Sequence, residues 1–207
     1  NVARYAMKKY QELGEKVIAV SCWDAKDKVA YTYRKKDGVS FDELISITDA
    51  YGSIDQAKAK DLGYEVLPGS AWLEQDVDIL IPAALENQIT KDNVGKISSQ
   101  VKVLAEAANG PTANEADQVI RERGIFLIPD FLANAGGVTC SYFEQVQSNM
   151  NYYWGKEEVL EKLDTKMTSA YAGVSELARK QKIYMRDAAY MIAINRVAQA
   201  VKSRGWV

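Results

Sequence analysis

The sequence predicts a doubly wound α/β fold: a mostly parallel sheet with helices on both faces and a helical layer at its C-terminal end. Three observations carry that prediction. Short apolar runs without alternation, at residues 77–81 (VDILI), 101–105 (VKVLA) and 125–128 (IFLI), read as strands buried on both faces. Segments of helical period separate them, as parallel strands require. After Pro129 the chain reads as helix alone.

The elements follow in order. Residues 1–13 open on a helix, with Val2, Ala6, Tyr10 and Leu13 on one face and Gly14 where a left-handed C-cap is wanted. Residues 16–21 (KVIAVS) read as a buried strand. A start on a helix with no strand before it leads us to expect a first strand and a Gly-rich turn upstream, in a longer protein. Ser40 and Glu43 form a capping-box pattern ahead of Phe41, Leu44, Ile45 and Thr48, with Gly52 closing that helix. Thr90 caps a short helix, and Thr112 with Glu115 makes a second capping box on a helix ending at Gly124. Pro82 and Pro129 stop two of the strands. Helices are then expected over 134–150, 156–182 and 185–204. The second carries a stripe of Leu163, Met167, Ala170, Val174 and Leu177; the third carries Tyr190, Ile194, Val197 and Val201. Residues 149–155 are the only plausible linker.

Composition narrows the function. Of 207 residues, 47% are apolar and 26% charged, the balance of a globular chain rather than a disordered one. Lys and Arg number 26 against 28 Asp and Glu, so a net charge of -2 gives no general attraction to nucleic acid or anionic lipid. No apolar run approaches the roughly 20 residues of a membrane span. Cys22 and Cys140 are too few for a disulfide framework, which suits a reducing, cytoplasmic setting. There is no histidine. That removes Ser-His-Asp machinery, His-ligated zinc and the commonest general base, and no metal is expected. Carboxylates, lysines, amides, backbone groups or a bound cofactor must carry the function.

In an open parallel sheet, ligands gather at the carboxyl ends of the strands. Those ends fall at residues 21–24, 82–86, 107–112 and 130–137. The first lies roughly 20 residues into the chain, the spacing between a Gly-rich dinucleotide turn and the acidic residue on the ribose 2′-hydroxyl. If a G-x-G pair precedes Asn1, then Asn1 and Val2 are its two x positions and Ala3 the small third residue. The helix N-terminus there would hold a pyrophosphate. Ser21 and Asp24 would then stand at the ribose. Each loop also has a plainer reading. Asp24 could be a turn residue beside Lys26 and Lys28, residues 107–111 (AANGP) a simple turn, and Asn134 a helix N-cap with Gly136 and Gly137 easing the entry. Four such loops on one sheet edge favour a ligand cleft.

The stretches NVARYA, VDILIPAALENQIT, AEAANGPT, IPDFLANAGGVTCSYFEQVQ and MRDAAY resemble the coenzyme-binding, C-terminal domain of glutamate dehydrogenases. The resemblance runs from Asn1 to the closing Gly205-Trp206-Val207. NAGGV is shared by the wider glutamate, leucine, phenylalanine and valine dehydrogenase family, and TCSYFEQVQ is similar to the glutamate branch. The resemblance implies that residues 1–150 form a Rossmann-like dinucleotide-binding core. Residues 151–207 would form helices packing on that core and the hinge, within the same domain.

The resemblance also implies residue roles. Asn1 and Val2 would lie at the coenzyme phosphates and adjoining ribose, and Ala83 and Ala84 would put bare backbone against the nicotinamide ribose. Asn109 and Asn134 would bond the nicotinamide carboxamide. Val138 would pack on the substrate methylenes, while Ser141 would donate to a substrate side-chain carboxylate. The implied reaction is reversible oxidative deamination of L-glutamate to 2-oxoglutarate and ammonia, with hydride passing to the nicotinamide. The lysine and aspartate that do acid–base work in such enzymes lie in an N-terminal substrate domain absent here. No catalytic residue is therefore assigned, and Glu86, Glu106 and Lys91 are read as surface or supporting groups. The chain alone would be inactive, and the full-length protein would be a homo-hexamer. One departure is Cys22, which follows Val20-Ser21 where the family usually has an acidic residue; Asp24 would serve from a displaced position. NAD is favoured, with NADP possible through Lys26 and Lys28. The competing readings are a leucine- or phenylalanine-type dehydrogenase and a non-catalytic α/β nucleotide-binding module.

Overall fold

The computed structural model describes residues 2–206. Strands β4 (Ile79–Leu80), β5 (Val103–Ala105) and β6 (Phe126–Ile128) form a parallel sheet in that order. Each lies inside one of the non-alternating apolar runs. Helix α4 (Asn114–Glu122) links β5 to β6 and buries Ala116 and Ile120 against Leu104 and Leu127. Successive strand residues face opposite ways, so Ile128 serves the other side of the sheet. There it packs with α5 (Asp130–Ala133), α7 (Lys156–Gln181) and α8 (Met185–Ser203) through Leu132, Val174, Ala178, Met185, Ala188 and Ala189. The fold is thus α/β, with its parallel sheet covered on both faces.

A second sheet was not anticipated. Strands β1 (Ala19–Asp24), β2 (Val29–Arg34) and β3 (Glu65–Pro68) pair antiparallel in that order. The loop between β1 and β2, residues 25–28, contains no glycine and so carries no hairpin signal. It is built instead by the Asp24 carboxylate, which accepts from the Lys26 and Asp27 amides at 2.8 and 2.9 Å, and by Lys28 in the left-handed region at φ 55°. A connection that short forces antiparallel pairing. Helix α1 (Val2–Glu12), α2 (Phe41–Ser46) and α3 (Gln56–Asp61) complete this lobe, with Met7, Tyr33, Leu44, Ile54, Ala59 and Tyr64 at its centre.

Several local expectations are corrected. On α1 it is Met7 that is buried, while Val2 and Leu13 stay exposed. Gln11 takes the seat beside it, bonding the Val39 carbonyl and the Phe41 amide. The Ser40 cap forms, its hydroxyl accepting from the Glu43 amide at 3.3 Å, but α2 ends at Ser46, well before Gly52. The second capping box does not form: Ala113 is the N-cap of α4, and Thr112 is drawn into a bridge with Ile89, its buried hydroxyl without a partner among the described residues. The helix expected from residue 134 is broken, since Asn134 ends α5 and α6 (Gly136–Met150) starts afresh. On α7 the predicted stripe is right, with Val174 buried. On α8 Tyr190, Ile194 and Val197 face solvent, and small residues, Ala188 and Ala189, face the core because the helix lies close to β6.

The turn Gly69–Glu74 joins the two lobes. The Thr32 hydroxyl donates to the Gly69 carbonyl at 2.9 Å, and the Ser21 hydroxyl lies 3.3 Å from the same oxygen. A Cβ on Gly69 would stand 2.6 Å from the Ala30 carbonyl oxygen. Gly69→Ala is therefore expected to lower the unfolding free energy by about 1–3 kcal/mol in urea titrations. Gly95→Ala, where a Cβ meets nothing within 4 Å, should change it little.

Candidate functional site

The loops that leave β4, β5 and β6 are stitched into one rim. The Pro82 carbonyl accepts from the Ala107 and Ala108 amides at 3.0 and 2.9 Å, and the Asn87 amide donates to the Gly110 carbonyl at 2.9 Å. The Gly110 amide in turn donates to the Asp130 carboxylate at 2.9 Å. Within this rim the Asn134 side chain donates to the Asn109 side-chain oxygen at 2.8 Å. That bond leaves the Asn109 Nδ2 donor and the Asn134 Oδ1 acceptor without a protein partner among the described residues. A free donor and a free acceptor are the two kinds of group that a primary amide can pair with. Ala83 and Ala84 add little bulk at the first loop, and Gly137, at the start of α6, has nothing within 4 Å of where its Cβ would be. Val138 and Ser141 follow one turn apart on the exposed side of α6.

Beneath the rim lies a charge network that the sequence reading missed. Glu106, at the end of β5, is 0% exposed. Its carboxylate takes Arg186 Nη2 at 2.9 Å on one oxygen and the Asp130 amide at 3.0 Å on the other. Arg186 also reaches Asp117 at 3.0 Å and Asp130 at 3.5 Å. Burial works against the guanidinium charge, but Glu106 and Asp117 outweigh it and hold Arg186 above its ordinary range. Tyr184 donates to Asp117 at 2.9 Å; burial, then the Asp117 charge, raises its phenol well above the usual value. The signal was present: a lone Glu between alanines at the end of a buried strand needs a cation, and Arg186 stands in the MRDAAY stretch. Glu86 and Lys91 are exposed.

The structure brings Ala83, Ala84, Asn109 and Asn134 to the parallel-sheet rim, with Val138 and Ser141 on the helix leaving it. It puts Ser21 and Asp24 on the other sheet. The Ser21 hydroxyl sits between the Tyr31 and Gly69 carbonyls, and the Asp24 carboxylate is engaged in its turn. The Asp27 amide, helped by that of Lys26, holds the Asp24 carboxyl below its usual range against the opposing effect of burial. Val2 opens α1 in solvent, and Asn1 lies outside the described residues. Asn134 is not the N-cap of α6, a place taken by Ala135.

The family model for Glutamate/Leucine/Phenylalanine/Valine dehydrogenase matches residues 1–205. The chain belongs to that family. It is 43% identical over 206 residues to the NAD-specific glutamate dehydrogenase of Staphylococcus aureus (strain COL), covering 100% of this chain and 47% of that protein. It therefore spans about half the length of the curated relatives it matches. Among solved structures, glutamate dehydrogenase from Peptoniphilus asaccharolyticus superposes with a TM-score of 0.79 at 37% identity, over 100% of this chain and 45% of that one. The hetero-hexameric glutamate dehydrogenase from Thermus thermophilus, in its Leu bound form, shares the fold. Its TM-score is 0.82 at 24% identity, over 97% of this chain and 44% of that one. Against this dehydrogenase family, the rim and its amide pair stand in the stretches AEAANGPT and IPDFLANAGGV.

Removing Arg186 strands a buried carboxylate. Arg186→Met is expected to cost about 3–5 kcal/mol of unfolding free energy, read from denaturant titration. Lys102→Met, which breaks the exposed 2.6 Å pair with Asp78, should leave the unfolding free energy nearly unchanged in the same titration.

Proposed function

We propose that this chain is the coenzyme-binding half of an NAD-dependent glutamate dehydrogenase, which interconverts L-glutamate with 2-oxoglutarate and ammonia. The observation that carries this reading is the Asn109–Asn134 pair, whose remaining donor and acceptor match the carboxamide of nicotinamide. NAD, when bound, supplies the acceptor for hydride from the substrate. The chain's own residues bind and orient. Asn109 Nδ2 donates to the carboxamide oxygen and Asn134 Oδ1 accepts from its nitrogen, which fixes the rotation of the ring. Ala83 and Ala84 leave room for the nicotinamide ribose, and the start of α1 at Val2, with Asn1 before it in the sequence, receives the pyrophosphate. On α6, Val138 packs on the substrate methylenes and Ser141 donates to its distal carboxylate. Ser21 and Asp24 mark the adenosine side, and the S. aureus relative's description as NAD-specific supports NAD over NADP.

In this reading residues 1–150 are the dinucleotide-binding core and 151–207 its helical layer within one domain. The outward stripe of Tyr190, Ile194 and Val197 then faces the hinge. The acid–base groups belong to the other half of the whole protein, a cytoplasmic hexamer. Among the described residues no helix is long and apolar enough to cross a membrane, and Cys22 and Cys140 stand as free thiols.

Residues 1–207 alone are expected to give no glutamate-dependent NADH in a steady-state assay. In the whole enzyme, Ser141→Val should lower kcat/KM for glutamate by about 10–100-fold, the worth of one hydrogen bond to a charged group. Leucine turnover exceeding that of glutamate in the unmodified enzyme would replace the glutamate reading with the leucine-type one. Asp24→Asn keeps an acceptor for the turn while removing the charge. It should reduce the preference for NAD over NADP, measured as the ratio of kcat/KM values; an unchanged ratio would show that Asp24 does not read the ribose.

A further inference from the structure

We propose that Arg186 is a positioning residue for the Asn109–Asn134 pair, setting through Glu106 and Asp130 the geometry in which the two amides meet a ligand. The part concerning ligand geometry rests on the reading of that pair as the nicotinamide clamp. Arg186 touches neither amide. Its guanidinium gathers carboxylates from three separate elements: Glu106 after β5, Asp117 on α4 and Asp130 at the start of α5. Two of those lead to the rim. Glu106 accepts the Asp130 amide at 3.0 Å, so the residue that opens α5 is held from below. Asp130 then holds both sides of the pair. Its side chain takes the Gly110 amide at 2.9 Å, immediately after Asn109, and its backbone carbonyl takes the Asn134 amide at 2.9 Å.

One residue thus ties the two asparagine loops together, and its own orientation is fixed by Glu106 and Arg186. A planar guanidinium addresses three carboxylates at once; an ammonium is a single point of charge. Arg186→Lys therefore keeps the compensating charge for buried Glu106 and loses the fork. Asp130, the most distant of the three carboxylates at 3.5 Å, is the one released.

The test uses the 15N-labelled 207-residue chain and reads the side-chain NH2 signals of Asn109 and Asn134, with the melting temperature measured alongside. In Arg186→Lys those signals should move toward the positions of free asparagine. Arg123→Lys weakens bonds to the Val94, Ile97 and Ser98 carbonyls away from the rim. It should lower the melting temperature and leave the amide signals in place. If Arg186→Lys does not fold, Asp130→Asn keeps the shape and the backbone carbonyl and reads the same link; it too should move both signals. Unmoved signals in a folded Arg186→Lys, or in Asp130→Asn where the lysine variant fails to fold, overturn the proposal. In the whole dehydrogenase, Arg186→Lys should lower kcat by about 10–100-fold through misalignment while the glutamate KM stays within about twofold. A wild-type enzyme that does not oxidise glutamate with NAD would overturn the coenzyme reading, whereas the amide signals decide the role of Arg186 either way.

Discussion

Glu106 ends a buried strand with none of its surface in water, and a carboxylate in that position must be met by a cation and by hydrogen-bond donors. Arg186 and the Asp130 amide meet it. Because those partners come from the last helix and from the loop after β6, satisfying one buried charge also fixes where three segments stand relative to one another. Apolar packing would glue the same segments together without specifying their register. The rim inherits its definition from this charged floor.

The two sheets divide the work differently. The parallel sheet is packed by helices on both faces, and the amide pair lies at its carboxyl edge. The antiparallel sheet carries Ser21 and Asp24, whose polar atoms already serve the local architecture as carbonyl bridge and turn acceptor. A carboxylate held below its usual range by backbone amides remains charged through the neutral region. Asp24 therefore keeps its negative charge while it braces the hairpin.

Much of this was legible in the residues. VDILI, VKVLA and IFLI gave the parallel strands because burial on both faces leaves no room for alternation. The asparagines of AEAANGPT and IPDFLANAGGV fell on one rim because strand ends share an edge. What escaped had specific causes. The hairpin after Asp24 hid because its left-handed residue is Lys28 rather than glycine. The α8 face was misread because alanines can form the buried side of a close-packed helix while larger apolar groups point outward. Periodicity records which residues share a face but not which face is covered. Thr112 failed as a cap because a bridge to Ile89 claimed its backbone first. The lone Glu106 signalled a buried charge, but its partner Arg186, 80 residues away, meets it only in the folded chain.

That separation has a bearing on synthesis. A ribosome delivers both sheets and every rim loop before it delivers the guanidinium that neutralises their floor. Until α8 leaves the exit tunnel and docks, the nascent rim carries an uncompensated acid at its base. The sheet can form early, but the finished cradle waits for a single side chain that lies 80 residues beyond Glu106.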